Sequence, residues 1–133
     1  MKQITRLLIV VSMFSGTLAA ADDQAIEHYI AAETALLETQ VTELRLATDL
    51  LSQPGLTEAD KFERIGQPSF DAVDQSLAAF GFTPKQFYQF RDEQQMAIDQ
   101  WLTDHPPEAV RVQSLRADRD ALSDSYDQLN NAY

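Results

Sequence analysis

The chain has 133 residues, no cysteine, and 21 acidic residues against 10 Lys and Arg, for a formal charge of −11. That balance excludes disulfide stabilisation and argues against nucleic acid and anionic lipid as partners, since both select for clustered Lys and Arg. The length suits one domain, whose stability must come from its own core.

Residues 1–21 have the layout of a secretory signal peptide. Lys2 and Arg6 give a positive start, Leu7 to Leu18 is mainly apolar, and Ala19-Ala20-Ala21 supplies a small-residue cleavage pattern, with cleavage expected after Ala21 and after Ala20 as the neighbouring choice. The apolar run is shorter than the ~20 residues of a membrane-crossing helix. No cysteine stands near the cleavage site to carry a lipid. The expected product, residues 22–133, is a single domain destined for the periplasm of a Gram-negative-type cell or for the medium beyond it. All 21 acidic residues but only 8 of the basic ones fall in it, so its formal charge is −13.

Gln24 to Leu51 contains no Gly or Pro and carries Ile26, Ile30, Leu37, Leu44 and Leu51 on one helical face, joined by Tyr29, Leu36, Val41 and Ala47. Asp22-Asp23 suits both the N-cap and the positive end of the helix dipole. Ser52-Gln53-Pro54-Gly55 ends the pattern. Thr57 can cap a short second helix, with Asp60 at its third position, and Gly66-Gln67-Pro68 closes it. Ser69 is placed as the cap of a third helix with the stripe Phe70, Val73, Leu77 and Phe80, and Gly81 takes the residue beyond its end.

Thr83-Pro84-Lys85-Gln86 reads as a capping box with Pro at the first helical position. The fourth helix is expected to run unbroken to Asp104, burying Phe87, Phe90, Ala97, Ile98, Trp101 and Leu102. His105-Pro106-Pro107 must end it, because a residue before proline is pushed out of helical geometry. A fifth helix from about Pro107 carries Val112, Leu115, Leu122, Tyr126 and Leu129 and frays through Asn130 to Tyr133. No stretch alternates with the period of a strand. The expectation is an all-α fold, a single helical bundle of about five helices, three long and two short, with no strands.

Polar residues on the apolar faces are the candidate site. Glu33 falls between Ile30 and Leu37, with Gln40 close by; Gln94 sits between Phe90 and Ile98, with Arg91 at the edge of that face; Arg119 occupies the step between Leu115 and Leu122. A buried carboxylate or guanidinium must be paired, reach water or meet a ligand. The set Glu33, Gln40, Arg91, Gln94 and Arg119 is therefore either a structural layer, for example Glu33 paired with Arg119, or a pocket between helices for a small anionic ligand. Secreted helical chorismate mutases use Arg, Glu and Gln in a similar way, but their residue order is not matched here and their lysine has no counterpart.

Other chemistry is weakly signalled. His28 lies on a polar face and His105 at the proline corner, so neither reads as a metal ligand. Asp118, Asp120, Asp124 and Asp127 depart from the calcium-loop pattern, with Ser123 where Gly and Leu129 where Glu is required, and read as a solvated helix face. No nucleophile motif accompanies the Ser and Thr residues. The aromatic run of the fourth helix reads as core and not as a base-stacking platform. No cofactor is implied.

Leu56-Thr57-Glu58-Ala59-Asp60 and Phe82-Thr83-Pro84-Lys85-Gln86 are both hydrophobic-Thr helix starts that follow a glycine. They resemble the Leu-Thr-x-x-Gln element of the small periplasmic stress chaperones of the Spy and CpxP type, which are also exported and all-helical. Asp60 replaces the Gln of the first copy and Phe82 the Leu of the second, and the likeness covers about ten residues. It implies a chaperone-like helical protein. The sequence as a whole points to an exported helical protein that works by binding, with a protein partner first, a small anionic ligand second and a small helical enzyme as the further alternative.

Overall fold

The computed structural model describes residues 21–55, 57, 59–60, 63 and 68–130. Residues 1–20 of the expected signal peptide, most of the short second helix and the expected fraying at residues 131–133 lie outside them. Among the described residues the fold is all-α, without strands. Its elements are α1 (Asp23–Leu51), α2 (Pro68–Ala78), α3 (Pro84–Glu93), α4 (Gln95–Asp104) and α5 (Pro106–Asn130). No helix among the described residues is long and apolar enough to cross a membrane.

The helix starts follow their capping chemistry. Asp22 is extended and its Oδ1 accepts from the Ala25 amide at 2.8 Å, satisfying one of the amides a helix start leaves without an internal partner. Both bonds of the Thr83–Gln86 capping box are present, at 3.2 Å and 3.0 Å. Thr57 Oγ1 accepts from the Asp60 amide at 3.2 Å, as expected of a cap. α2 begins at Pro68, so Ser69 stands inside the helix; the fixed φ of proline suits a first helical position.

The stops are equally local. After α2 the Phe82 amide bonds Leu77 O at 3.1 Å and the Gly81 amide bonds Ala78 O at 2.9 Å, the paired bonds of a Schellman turn. Gly81 supplies the left-handed residue that turn requires, at φ +80°. Buried Leu77 and half-buried Phe82 then form the apolar pair that accompanies it. His105, at φ −129° and ψ 71°, leaves helical geometry ahead of Pro106 and separates α4 from α5.

One expectation needs correcting. The helix beginning at Pro84 is not continuous: at Gln94 the backbone turns to φ −114° and ψ 19°, dividing it into two ten-residue helices. The hydrogen bonds around the bend survive, Gln94 N to Phe90 O and Ile98 N to Gln94 O both at 2.9 Å. The five described helices are two long and three short, and the expected short second helix lies mostly outside the described residues. The bend is tied from a distance, because Gln94 Oε1 accepts from the Ala21 amide at 2.9 Å.

α1 is the spine. Its largest interface is with α5, the next with α2, and α4 covers a smaller part of it. Ile26, Tyr29, Ile30, Ala32, Leu36 and Leu37 of α1 meet Leu77, Phe87, Ile98, Trp101, Leu102 and Val112 in one core. Each fully buried aliphatic or aromatic side chain there contributes roughly 1.5–3 kcal/mol. Tyr29 stacks on Phe87 and Phe90, with centroids 4.9 Å and 5.3 Å away, and Phe82 meets both phenylalanines edge-on. The aromatic run of α3 is therefore core, as its spacing implies.

Candidate functional site

α1 and α5 run antiparallel with their register pinned by two ion pairs. Glu33 pairs with Arg116 and Glu38 with Arg111. The five-residue step forward on α1 matches a five-residue step back on α5, as only an antiparallel pair allows. The outer pair, Glu38 with Arg111, is exposed on both sides and contributes at most about 1 kcal/mol.

The inner pair is different. Glu33 is only 6% exposed, while the Arg116 side chain keeps 38% of its surface in water. Arg116 Nε donates to Glu33 Oε1 at 2.9 Å and Nη2 donates to the same oxygen. The guanidinium thus fills one carboxylate oxygen twice and leaves Oε2 without a partner among the described residues. Arg116 reaches the pair by snorkelling, with its stem along apolar surface and its head at the bundle edge.

Tyr29, one turn before Glu33 on α1, completes the cluster. Its ring is fully buried and its hydroxyl lies beside the Glu33 carboxylate without closing a hydrogen bond of ordinary geometry. Burial first, and the negative Glu33 second, hold this phenol well above the ordinary tyrosine range; Arg91 and Arg116 pull the other way more weakly. Gln40 Oε1 is likewise buried without a partner.

The five residues read from sequence are only partly brought together. Glu33 and Arg91 both act on the surroundings of the Tyr29 hydroxyl. Arg91 is half-buried, lies 4.8 Å above the Tyr88 ring and approaches Asp92 at 3.6 Å. Gln40 lies farther along α1, and Gln94 is occupied at the bend by Ala21. Arg119 pairs with its neighbour Asp120, at 3.0 Å, so the pairing of Glu33 with Arg119 is replaced by one with Arg116, nearly a turn earlier. The sequence held a signal for this: the spacing of Glu33 and Glu38 equals that of Arg111 and Arg116.

The turn between α2 and α3 borders a shallow groove of about 360 Å³ lined by Gly81, Phe82, Gln86, Gln89, Phe90 and Glu93. The Schellman turn presents Phe82 and the capping box fixes the start of α3, so the groove is set by the two best-defined local signals in the chain. Its apolar floor comes from half-buried Phe82 and Phe90, and its rim is two amides and a carboxylate. Among the described residues no group of His, Asp and Glu is arranged to hold a metal ion.

Both histidines serve as aromatic clasps. His28 Nε2 donates to Phe80 O at 2.7 Å and its ring lies against Phe80 and Phe82. His105 Nδ1 donates to Trp101 O at 2.7 Å, with its ring stacked on the indole at 3.7 Å and 10°. A carbonyl only accepts, so each bonded nitrogen carries a proton.

No protein-family model matches the chain, and no match is found among curated proteins or solved structures. What it can do must be argued from these residues.

Proposed function

We propose that the chain is an exported, periplasmic helical protein that acts by binding a protein partner. The observation that carries this is the groove of Phe82 and Phe90, rimmed by Gln86, Gln89 and Glu93. An apolar floor with amide and carboxylate edges suits a partner segment that inserts an apolar side chain and brings backbone amides or basic groups to the rim. The charge of −13 beyond residue 21 favours a partner of opposite sign. Exposed Tyr88 and the Arg91 above it flank the same helix and add an amphipathic anchor.

Site-specific photo-crosslinking in cells tests it. A photoreactive residue at Gln89 is expected to capture one or a few proteins of defined mass, and the same residue at Asp127 none of them. Equal labelling from both positions would sink the proposal. A chaperone-like role is distinguished by a broad ladder of adducts at Gln89.

A second reading, a ligand inside the bundle, has one observation in its favour. Tyr29 Oη, Glu33 Oε2 and Gln40 Oε1 are buried without hydrogen-bond partners among the described residues. Two of the three can only accept, and the neighbouring guanidinium is already engaged. A small hydrogen-bond donor therefore fits better there than the anionic ligand the sequence suggests. Calorimetric titration with small primary amines, repeated on Glu33→Gln, tests it: no heat from the natural chain rules the site out.

A further inference from the structure

Gln94 has no role in the groove or in the ion pair, yet it is the half-buried residue at which the α3–α4 bend occurs. Its Oε1 accepts from the Ala21 amide at 2.9 Å, across 73 residues of chain. Ala21 also packs against the central core cluster. The next residue, Asp22, is the N-cap of α1. The bundle thus uses Ala21 twice, once through its amide and once through its methyl group.

We infer that Ala21 is retained in the folded product, that the leader is removed at the Ala19–Ala20 or Ala20–Ala21 bond, and that Gln94 is the receptor for the start of the mature chain. This rests on the export proposal and changes its cleavage site from the one the Ala19-Ala20-Ala21 pattern first suggests. The step is hydrolysis by a signal-type endopeptidase. Water adds across one amide bond, the leader leaves with a new carboxylate, and the mature chain keeps a new amine that takes up a proton.

Electrostatics at α1 favour the same boundary. Cutting after Ala21 would put the terminal ammonium on Asp22 itself, at the positive end of a 29-residue helix, where added positive charge is destabilising. Cutting one or two residues earlier moves that charge outward and leaves the N-cap Asp22 between it and the helix, whose first turn carries Asp23. If Ala21 is itself first, its ammonium makes a charge-assisted bond to Gln94 Oε1, stronger than the neutral amide does.

The test is the intact mass and N-terminal sequence of the protein exported with its own leader. A chain beginning at Ala20 or Ala21 is the expected result. A chain beginning at Asp22 overturns the inference and leaves export standing; a chain still carrying residues 1–19 overturns both. A stability cycle checks the receptor: Gln94→Leu and deletion of Ala21 should each lower Tm by about 4 °C, and the double variant no further than either alone. Additive losses would remove Gln94 from the role. Gln94→Glu keeps an acceptor and is expected to hold the natural Tm or exceed it, whereas a loss as large as that of Gln94→Leu counts against the contact.

Discussion

Arg116 donates twice to a single oxygen of Glu33, and this is the one ion pair among the described residues with a buried member. Such a pair is worth little compared with apolar residues of the same shape, but half of it is costly. Arg116→Met leaves the Glu33 carboxylate buried and unpaired, so it should lose about 3 kcal/mol in urea unfolding. Adding Glu33→Met to that variant should recover most of the loss. Arg119→Met, whose partner is the exposed neighbour Asp120, should stay within about 0.5 kcal/mol of the natural chain. Equal losses from the two Arg substitutions would show the register to be wrong.

Tyr29→Phe should be neutral or stabilising by about 1 kcal/mol at neutral pH, because it removes a buried hydroxyl without a partner. The alkaline side follows from the raised ionisation of Tyr29. Below about pH 10 the phenol is protonated in both folded and unfolded chains. Above it the unfolded chain releases a proton that the fold retains, so stability falls by up to about 1.4 kcal/mol per pH unit. Unfolding midpoints from pH 8 to 11 should therefore decline less steeply in Tyr29→Phe, and parallel curves would refute the assignment.

Trp101 is the single tryptophan, and His105 stacks on its indole. The stacked imidazole covers one face of the indole, so His105→Gln should open that face to water and move the tryptophan emission to longer wavelength. An unchanged emission maximum in His105→Gln would count against the stack.

Gly81 has φ +80° and open space where a Cβ would stand. Gly81→Ala therefore meets backbone strain without a clash and should cost about 1–2 kcal/mol. Asn tolerates this conformation better, so Gly81→Asn should cost less in the same thermal melts.

What could be read from sequence divides by the range of the physics involved. Asp22, Thr83 with Gln86, and Gly81 act within a few residues of themselves, and each marks its helix end where the fold has one. The bend at Gln94 was not legible, because neither Gly nor Pro marks it and its tie, Ala21, is 73 residues away in the chain. Arg119 occupies the step between Leu115 and Leu122, yet Arg116 makes the pair, because position on a helical wheel drifts by about 20° per heptad against a fixed heptad repeat, enough to blur neighbouring positions on a 25-residue helix. Glu33 was legible as anomalous from its place between Ile30 and Leu37, but its partner depended on the α1–α5 register. Phe90 reads as core from its spacing, and only its half-burial beside Phe82 reveals the groove.

The pairing of α1 with α5 has a further consequence for how the chain reaches its fold. Its contacts join residues far apart in the chain, as the separations of 73 between Glu38 and Arg111 and 83 between Glu33 and Arg116 illustrate. A chain made from its N-terminus completes α1 first and its principal partner last. Until then the stripe from Ile26 to Leu51 has only later-arriving α2, α3 and α4 to cover it. Docking of α5 is then the closing event, paid in loop entropy that grows only slowly with chain length. Substitutions along α5 should accordingly act mainly on the rate of unfolding, and those between α1 and α2 on the rate of folding.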